Sequence, residues 1–280
     1  MIKQTLVLLL FLVSLACAQV KQGSIPVSAP VTIDSPGKMG AVAAQSVMRI
    51  ICTKTNMGGS GFLHKSGWIL TAAHVVVDCS KANILVLLST GEKIDVDSVI
   101  TDTYADLAAL KPSKKIDVPA LALSSKTEII TGSLVTTWGF PSGYNGFRPL
   151  LTVGYLSGVD RVPTPAGLSP TRWVVNAAFN GGNSGGPVLD IETGDVIGVV
   201  SSKLAPIPLI IESAMEALST QKSGFSYTQT NEDGTTTQVS EGHVIAEVLK
   251  YLRSQTQLVL GHAVTSTDLL QFLRSHSISN

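Results

Sequence analysis

The sequence predicts an all-β protein. Two observations carry that expectation. Only 14% of the 280 residues are charged and 25 are glycine, with Val, Thr and Ser frequent, a balance that favours strands and turns over helices. The apolar residues also fall in short runs closed by glycine, such as residues 68–70 after Gly67 and 84–88 before Gly91. The length suits one large β domain or two small ones. Lys plus Arg and Asp plus Glu number 20 each. This zero net charge gives no electrostatic ground for a nucleic acid or an anionic membrane as partner.

In chain order, residues 1–18 read as a secretory signal. Lys3 supplies the positive start, residues 6–13 the apolar stretch, and Ala16-Cys17-Ala18 the small-x-small cleavage pattern. The run is too short to span a bilayer, and no later run is longer, so no integral membrane segment is expected. A rival reading makes Cys17 a lipidated residue, although Ser14 stands where a lipobox carries leucine. Residues 19–45, rich in Pro, Ser, Gly and Ala, read as an extended leader. Strands are expected from 46–51, 61–64, 68–70 and 84–88, then, beyond a Pro- and Lys-containing crossing at 111–126, from 135–138, 150–154, 173–176 and 196–201. Residues 212–218 read as a short helix and 223–240 as a polar hairpin turning at Asn231-Glu232-Asp233-Gly234. Val244, Ile245, Val248, Leu249 and Leu252 form a helical stripe over 243–253. A second helix is expected at 265–274, capped by Ser266 or Thr267 and packing through Leu269, Leu270 and Leu273.

The stretch richest in chemistry is Asn180-Gly181-Gly182-Asn183-Ser184-Gly185-Gly186-Pro187. Glycine is costly inside helices and strands, so this is a tight turn whose backbone N–H groups can converge. A serine hydroxyl beside such donors suits acyl transfer: Ser184 as nucleophile, with the N–H groups of Gly182 and Ser184 flanking Asn183 as an oxyanion hole. His74, at the end of the apolar run into Thr71-Ala72-Ala73, is the candidate base. Asp106, opening the run Leu107-Ala108-Ala109-Leu110, is the candidate orienting acid, with Asp102 as its rival. The other histidines, His64, His243, His262 and His276, have no comparable context and are expected at the surface.

Thr71-Ala72-Ala73-His74, Asp106-Leu107-Ala108 and Gly182-Asn183-Ser184-Gly185-Gly186-Pro187 together resemble the chymotrypsin-fold serine proteases. The pattern is most similar to the bacterial high-temperature-requirement-type protease domain, without a PDZ module. Gly59-Ser60-Gly61-Phe62 and Gly139-Phe140-Pro141-Ser142-Gly143 add to the likeness, which runs from about Val47 to Ser202. The resemblance implies two six-stranded antiparallel β-barrels with C-terminal helices. The first barrel is expected at 46–115 and the second at 116–255, with a polar insertion at 212–242 and its terminal helix at 243–253. Residues 256–280 are left as an extra C-terminal helix.

The resemblance further implies an exported, periplasmic or secreted, serine endopeptidase. It would use a His74–Asp106–Ser184 triad and an acyl-enzyme on a polypeptide substrate, with no metal or organic cofactor. A catalytically silent binding module on the same fold, or an esterase-like hydrolase, are the alternatives. Cys52 and Cys79, left after cleavage at Ala18, are expected to pair as exported relatives pair a cysteine near the histidine loop; two buried thiols are the other reading. In trypsin-like zymogens an aspartate at the position of Asn183 pairs with a new N-terminal ammonium. Neutral Asn183 implies that no such insertion activates this enzyme. Ala178, with Val200, Ser201 and Lys203, is expected to line a specificity pocket for small or medium aliphatic side chains.

Overall fold

The computed structural model describes residues 37–55, 57–126, 129–161, 170–203, 209–220, 225–230, 234–255 and 259–279. The expected signal at 1–18, Cys17 and the first part of the leader lie outside these residues, as does the hairpin turn from Asn231 to Asp233. Residues 33–280 belong to one compact unit. Gly37–Ser46 is a helix, α1, where an extended leader was expected. The run Ala41-Val42-Ala43-Ala44 has high helix propensity, and Ala43 is completely buried with Val42 and Ala44 packed beside it.

The first sheet is built from β1 (Val47–Cys52), β2 (Met57–Leu63), β3 (Ile69–Thr71), β4 (Ile84–Leu87), β5 (Lys93–Ile94), β6 (Val96–Asp102) and β7 (Leu107–Pro112). Its order is β5-β4-β1-β2-β3-β7-β6, so it carries seven strands rather than the six expected. The extra strand comes from a break at Asp95. β5 lies at one edge and β6 at the other, yet one residue separates them. The chain itself joins the two edges, which forces the sheet to curl into a barrel.

The second sheet contains β8 (Leu134–Gly139), β9 (Leu150–Arg161), β10 (Thr171–Asn176), β11 (Pro187–Asp190) and β12 (Val196–Lys203). After β12 come helix α2 (Leu209–Thr220), the hairpin β13 (Ser226–Thr230) and β14 (Thr236–Ser240), helix α3 (Glu241–Gln255), β15 (Gly261–Thr265) and helix α4 (Ser266–Ser275). The barrel closes in the order β10-β15-β12-β11-β8-β9, six antiparallel strands as expected. Its sixth strand, β15, lies beyond the boundary placed at residue 255. Every residue of β15 is buried, so it shows no alternation to betray a strand.

This corrects the roles of the last two helices. α3 packs with α2 as part of the insertion, and its apolar residues Ile245, Val248, Leu249 and Leu252 are exposed. α4 is the helix that packs on the barrels: Leu269, Phe272 and Leu273 share one core with Phe62, Leu70, Trp138 and Val264. Leu270 is only partly buried, and Phe272 takes the place in the packing face expected of it. The cap is Thr265 rather than Ser266 or Thr267; its Oγ1 accepts the Asp268 N–H at 3.1 Å. His64 and His262, expected at the surface, are both buried.

Cys52, at the end of β1, and Cys79 are joined by a disulfide with Cα atoms 5.9 Å apart. Cys79 follows the short helical turn Ala73–Val75 that carries His74, so the bond ties that turn to the sheet. Closing a 27-residue separation removes unfolded-state entropy worth about 3.5 kcal/mol. Replacing both cysteines by alanine should lower stability by roughly that amount in urea unfolding; an unchanged midpoint would contradict the link.

Candidate active site

The register of the first sheet brings His74 and Asp106 together. Thr71 at the end of β3 pairs with Ala108 of β7, so His74, three residues on, meets Asp106, two residues back. His74 Nδ1 is 3.0 Å from both carboxylate oxygens of Asp106, and its backbone N–H donates to Oδ1 at 3.1 Å. Asp106 has a left-handed backbone, φ 59°, which aspartate tolerates better than most residues. The Ser201 hydroxyl from β12 donates to Asp106 Oδ2 at 2.5 Å. The rival Asp102 turns elsewhere: its Oδ1 accepts the Ala105 N–H at 2.9 Å.

Burial pushes the Asp106 carboxyl up, but the hydrogen bond and charge of His74 and the hydroxyl of Ser201 outweigh it. They hold it below the usual carboxylate value of 3.8. An ionised Asp106 keeps the proton on His74 Nδ1, which leaves the Nε2 lone pair free, and the ring is about half exposed. Asp106 therefore stabilises the fold above the ordinary carboxyl value of 3.8. That contribution is lost as pH falls through the lower folded value. Asp106→Asn should melt below wild type at neutral pH, and the gap should close in acid; a gap independent of pH would contradict this.

Residues 177–186 link β10 to β11 and form the turn around Ser184. The Asn183 N–H donates to Asn180 O at 3.0 Å, Gly186 N–H to Asn183 O at 2.9 Å, and Gly185 N–H to Val200 O at 2.7 Å. Gly182 and Gly185 have φ of 89° and 85°. A Cβ on Gly185 would lie 2.1 Å from the Ser60 carbonyl oxygen, so the turn admits no side chain there. Ser60 of β2 is fully buried and fastens the turn from the other barrel. Its hydroxyl donates to Gly182 O at 2.7 Å and accepts the Phe140 N–H at 3.0 Å. Its own N–H donates to Ser184 O at 2.7 Å. The Ser142 N–H holds Gly181 O at 2.6 Å. With these carbonyls occupied, the N–H groups of Gly182 and Ser184 donate to no acceptor among the described residues. Asn183 adds a side-chain bond from Nδ2 to Ala178 O at 3.2 Å.

Ser184 Oγ donates to the Ser201 carbonyl at 3.2 Å and makes no hydrogen bond to His74. Ser201 links the two halves of the site, accepting from Ser184 through its carbonyl and donating to Asp106 through its hydroxyl. The expected pocket residues separate. Val200 is 1% exposed within the barrel core, and Ser201 points to Asp106, so neither side chain lines an open pocket. Ala178 is half-buried, and the Lys203 side chain lies outside the described part of the chain. Phe179 was missed: it is 2% exposed and its ring lies against Gly261, the partner of Lys203 in the barrel. Ser60 was visible only as part of a glycine-flanked motif; its spacing gave no signal that it reaches across the barrels. Among the described residues, no three His, Cys, Asp or Glu side chains cluster as metal ligands.

Comparison with known proteins fits this geometry. Residues 59–199, just over half of the chain, match the trypsin-like peptidase domain. The chain belongs to this family. Similar proteins include the mitochondrial serine protease HTRA2 of Bos taurus, 33% identical over 150 residues, covering 52% of this chain and 31% of that one. A probable periplasmic serine endoprotease, DegP-like, of Halomonas elongata is 34% identical over 144 residues, covering 51% and 29%. The match thus spans about a third of these relatives' length. Among solved structures, the HtrA-type protease AlgW with tripeptide shares the fold, with a TM-score of 0.54 at 22% identity over 86% of this chain and 64% of that one. The active form of the Rv3671c protease from M. tuberculosis gives 0.52 at 21% identity over 76% and 83%.

Ser60 holds the turn around Ser184 through its bonds to Gly182, Phe140 and Ser184. Ser60→Ala strips the Gly182 carbonyl and the Phe140 N–H of their buried partner, a cost of about 1–3 kcal/mol. If the turn serves catalysis, kcat should fall by at least about tenfold with KM little changed; an unchanged kcat would remove Ser60 from this role.

Proposed function

We propose that the protein is an exported serine endopeptidase that cleaves polypeptides through an acyl-enzyme. The observation that carries this reading is the juxtaposition of the His74–Asp106 pair, joined at 3.0 Å, with a turn offering the unpaired N–H groups of Gly182 and Ser184. The Ser184 hydroxyl swings from the Ser201 carbonyl to His74 Nε2 and attacks the substrate carbonyl carbon as Nε2 takes its proton. The carbonyl oxygen, now an oxyanion, rests on the Gly182 and Ser184 N–H groups. Asp106 stabilises the imidazolium, and His74 passes the proton to the departing amine. Water then repeats the sequence on the Ser184 ester, releasing the acid and restoring the hydroxyl.

Three further features support finer parts of the reading. The Asn183 side chain is already paired with a neutral carbonyl within its own turn. No charged N-terminus is needed to order that turn, and activation by N-terminal insertion is not expected. The Phe179 ring packs against Gly261 beside the end of β12, an apolar neighbour that suits a preference for small or medium aliphatic residues on the acyl side. The signal-like start of the sequence supports export, with the lipid anchor at Cys17 as the other form of it.

The test is casein hydrolysis by the purified chain beside Ser184→Ala, with the cut sites read by mass spectrometry. The proposal expects hydrolysis after small or medium aliphatic residues that falls by about four orders of magnitude or more in the variant. A folded wild-type chain that cuts no peptide, or a variant as active as wild type, would overturn it.

A further inference from the structure

A cavity of about 370 Å³ opens beside the oxyanion turn, bordered by Gly182, by β1 and β2, and by the turn from Phe140 to Asn145. Its cation is Arg49, half-buried on β1. Arg49 Nη2 donates to Tyr144 O at 2.5 Å and Gly146 O at 3.3 Å, and its guanidinium carbon lies 4.9 Å from the centre of the Phe140 ring. These contacts hold the head in place. Nη1 and Nε have no partner among the described residues, and no acidic side chain lines the cavity. A held guanidinium with an open edge and no counter-charge is a receptor for a carboxylate.

The backbone beside the cavity is shaped for an extended chain. On β2 the Ser60 N–H points away from β1, to Ser184 O, and its C=O accepts the Thr71 hydroxyl at 2.7 Å. The pleat repeats every two residues, so the Gly58 N–H and C=O point the same way. β3 pairs with β2 only at Phe62 and Leu63, so among the described residues no strand covers Gly58 on that side. Gly58 has no side chain to obstruct a peptide, and Ile51 opposite it also lines the cavity.

We propose that this cavity is a carboxylate-binding subsite for the leaving half of the substrate, with Arg49 as the recognising residue. The inference rests on the peptidase reading, in which the acyl half lies along β12 and the Ser201 end of the site. The chain beyond the scissile bond then crosses Gly182 and pairs with Gly58. Gly58 is two residues, about 7 Å, from Ser60, which places the acid on the second or third residue after the cut. The carboxylate is either an Asp or Glu side chain or the free C-terminus of a peptide ending there.

The experiment uses internally quenched peptides with one common acyl half. They carry Glu, Gln or Lys at the second or third position after the cut, and a parallel pair ends there as free acid or amide. Wild type should favour acid over its neutral partner by about tenfold in kcat/KM, mainly through KM, and the preference should weaken with salt. In Arg49→Gln the ratio should fall to about one, whatever the variant's overall activity. Preference for Glu assigns the side chain as ligand, and preference for the free acid alone assigns the chain end. A ratio near one in wild type, or one that survives in Arg49→Gln, would overturn the subsite. If wild type cleaves none of the peptides, the peptidase reading fails, and fluorescence-labelled copies are titrated onto Ser184→Ala with and without Arg49→Gln. Tighter, Arg49-dependent binding of the acidic peptide then supports the carboxylate site, and equal affinities overturn it.

Discussion

The Ser60 hydroxyl donates to the Gly182 carbonyl at 2.7 Å and accepts the Phe140 N–H at 3.0 Å, while the Ser60 N–H holds the Ser184 carbonyl. Ser60 belongs to the first barrel; Gly182, Ser184 and Phe140 belong to the second. One buried residue thus fixes the turn around the candidate nucleophile relative to the sheet that carries His74 and Asp106. Two of these bonds occupy the Gly182 and Ser184 carbonyls, which would otherwise be free to turn inward. That leaves the Gly182 and Ser184 N–H groups without acceptors among the described residues, the condition under which they can receive a developing oxyanion. The close approach also explains the glycines: a Cβ on Gly185 would strike the Ser60 carbonyl oxygen, and one on Gly182 would strike that of Phe140.

A second contact across the barrels completes the arrangement. Ser201 of β12 donates to Asp106 and accepts from Ser184, so one residue touches both ends of the candidate triad. Asp106 receives donors from His74 twice and from Ser201 once, which keeps it ionised despite burial. The Ser184 hydroxyl donates to the Ser201 carbonyl. The backbone around it is held by the bonds from Ser60 and Ser142 and by the Gly185 N–H bond to Val200 O. The core shared by α1, α4 and both barrels makes such rigidity plain, since Ala43, Phe62, Trp138 and Leu269 lie in one cluster.

The parts of the fold that sequence revealed are those with local signatures. Glycine-bounded apolar runs located most strands, and the glycines around Ser184 located the turn. His74 and Asp106 were legible because each sits at the mouth of an apolar strand, and β3–β7 pairing brings such positions together. What stayed hidden depends on contacts distant in sequence. β15 is buried on both faces and has no period, so the exposed stripe of α3 drew the assignment that belongs to α4. The helix in the leader was masked by its flanking Pro and Gly residues, although its alanines favour helix. The pocket residues were misplaced for a related reason: Val200 and Ser201 were taken as neighbours on one surface, but alternate residues of a strand face opposite ways. Ser60 and Arg49 gain their roles only from what the second barrel places against them.

The turn around Ser184 is held by bonds within the protein itself, so the proposed peptidase needs neither cleavage nor ligand to order it. The most direct measurement is intact-mass analysis of the freshly purified chain after a brief exposure to a fluorophosphonate, beside Ser60→Ala. The account predicts one phosphonyl group per chain, located on Ser184, formed rapidly on the uncut wild type and more slowly on the variant. An intact, folded wild-type chain that stays unlabelled until it is proteolysed or given a peptide would contradict it.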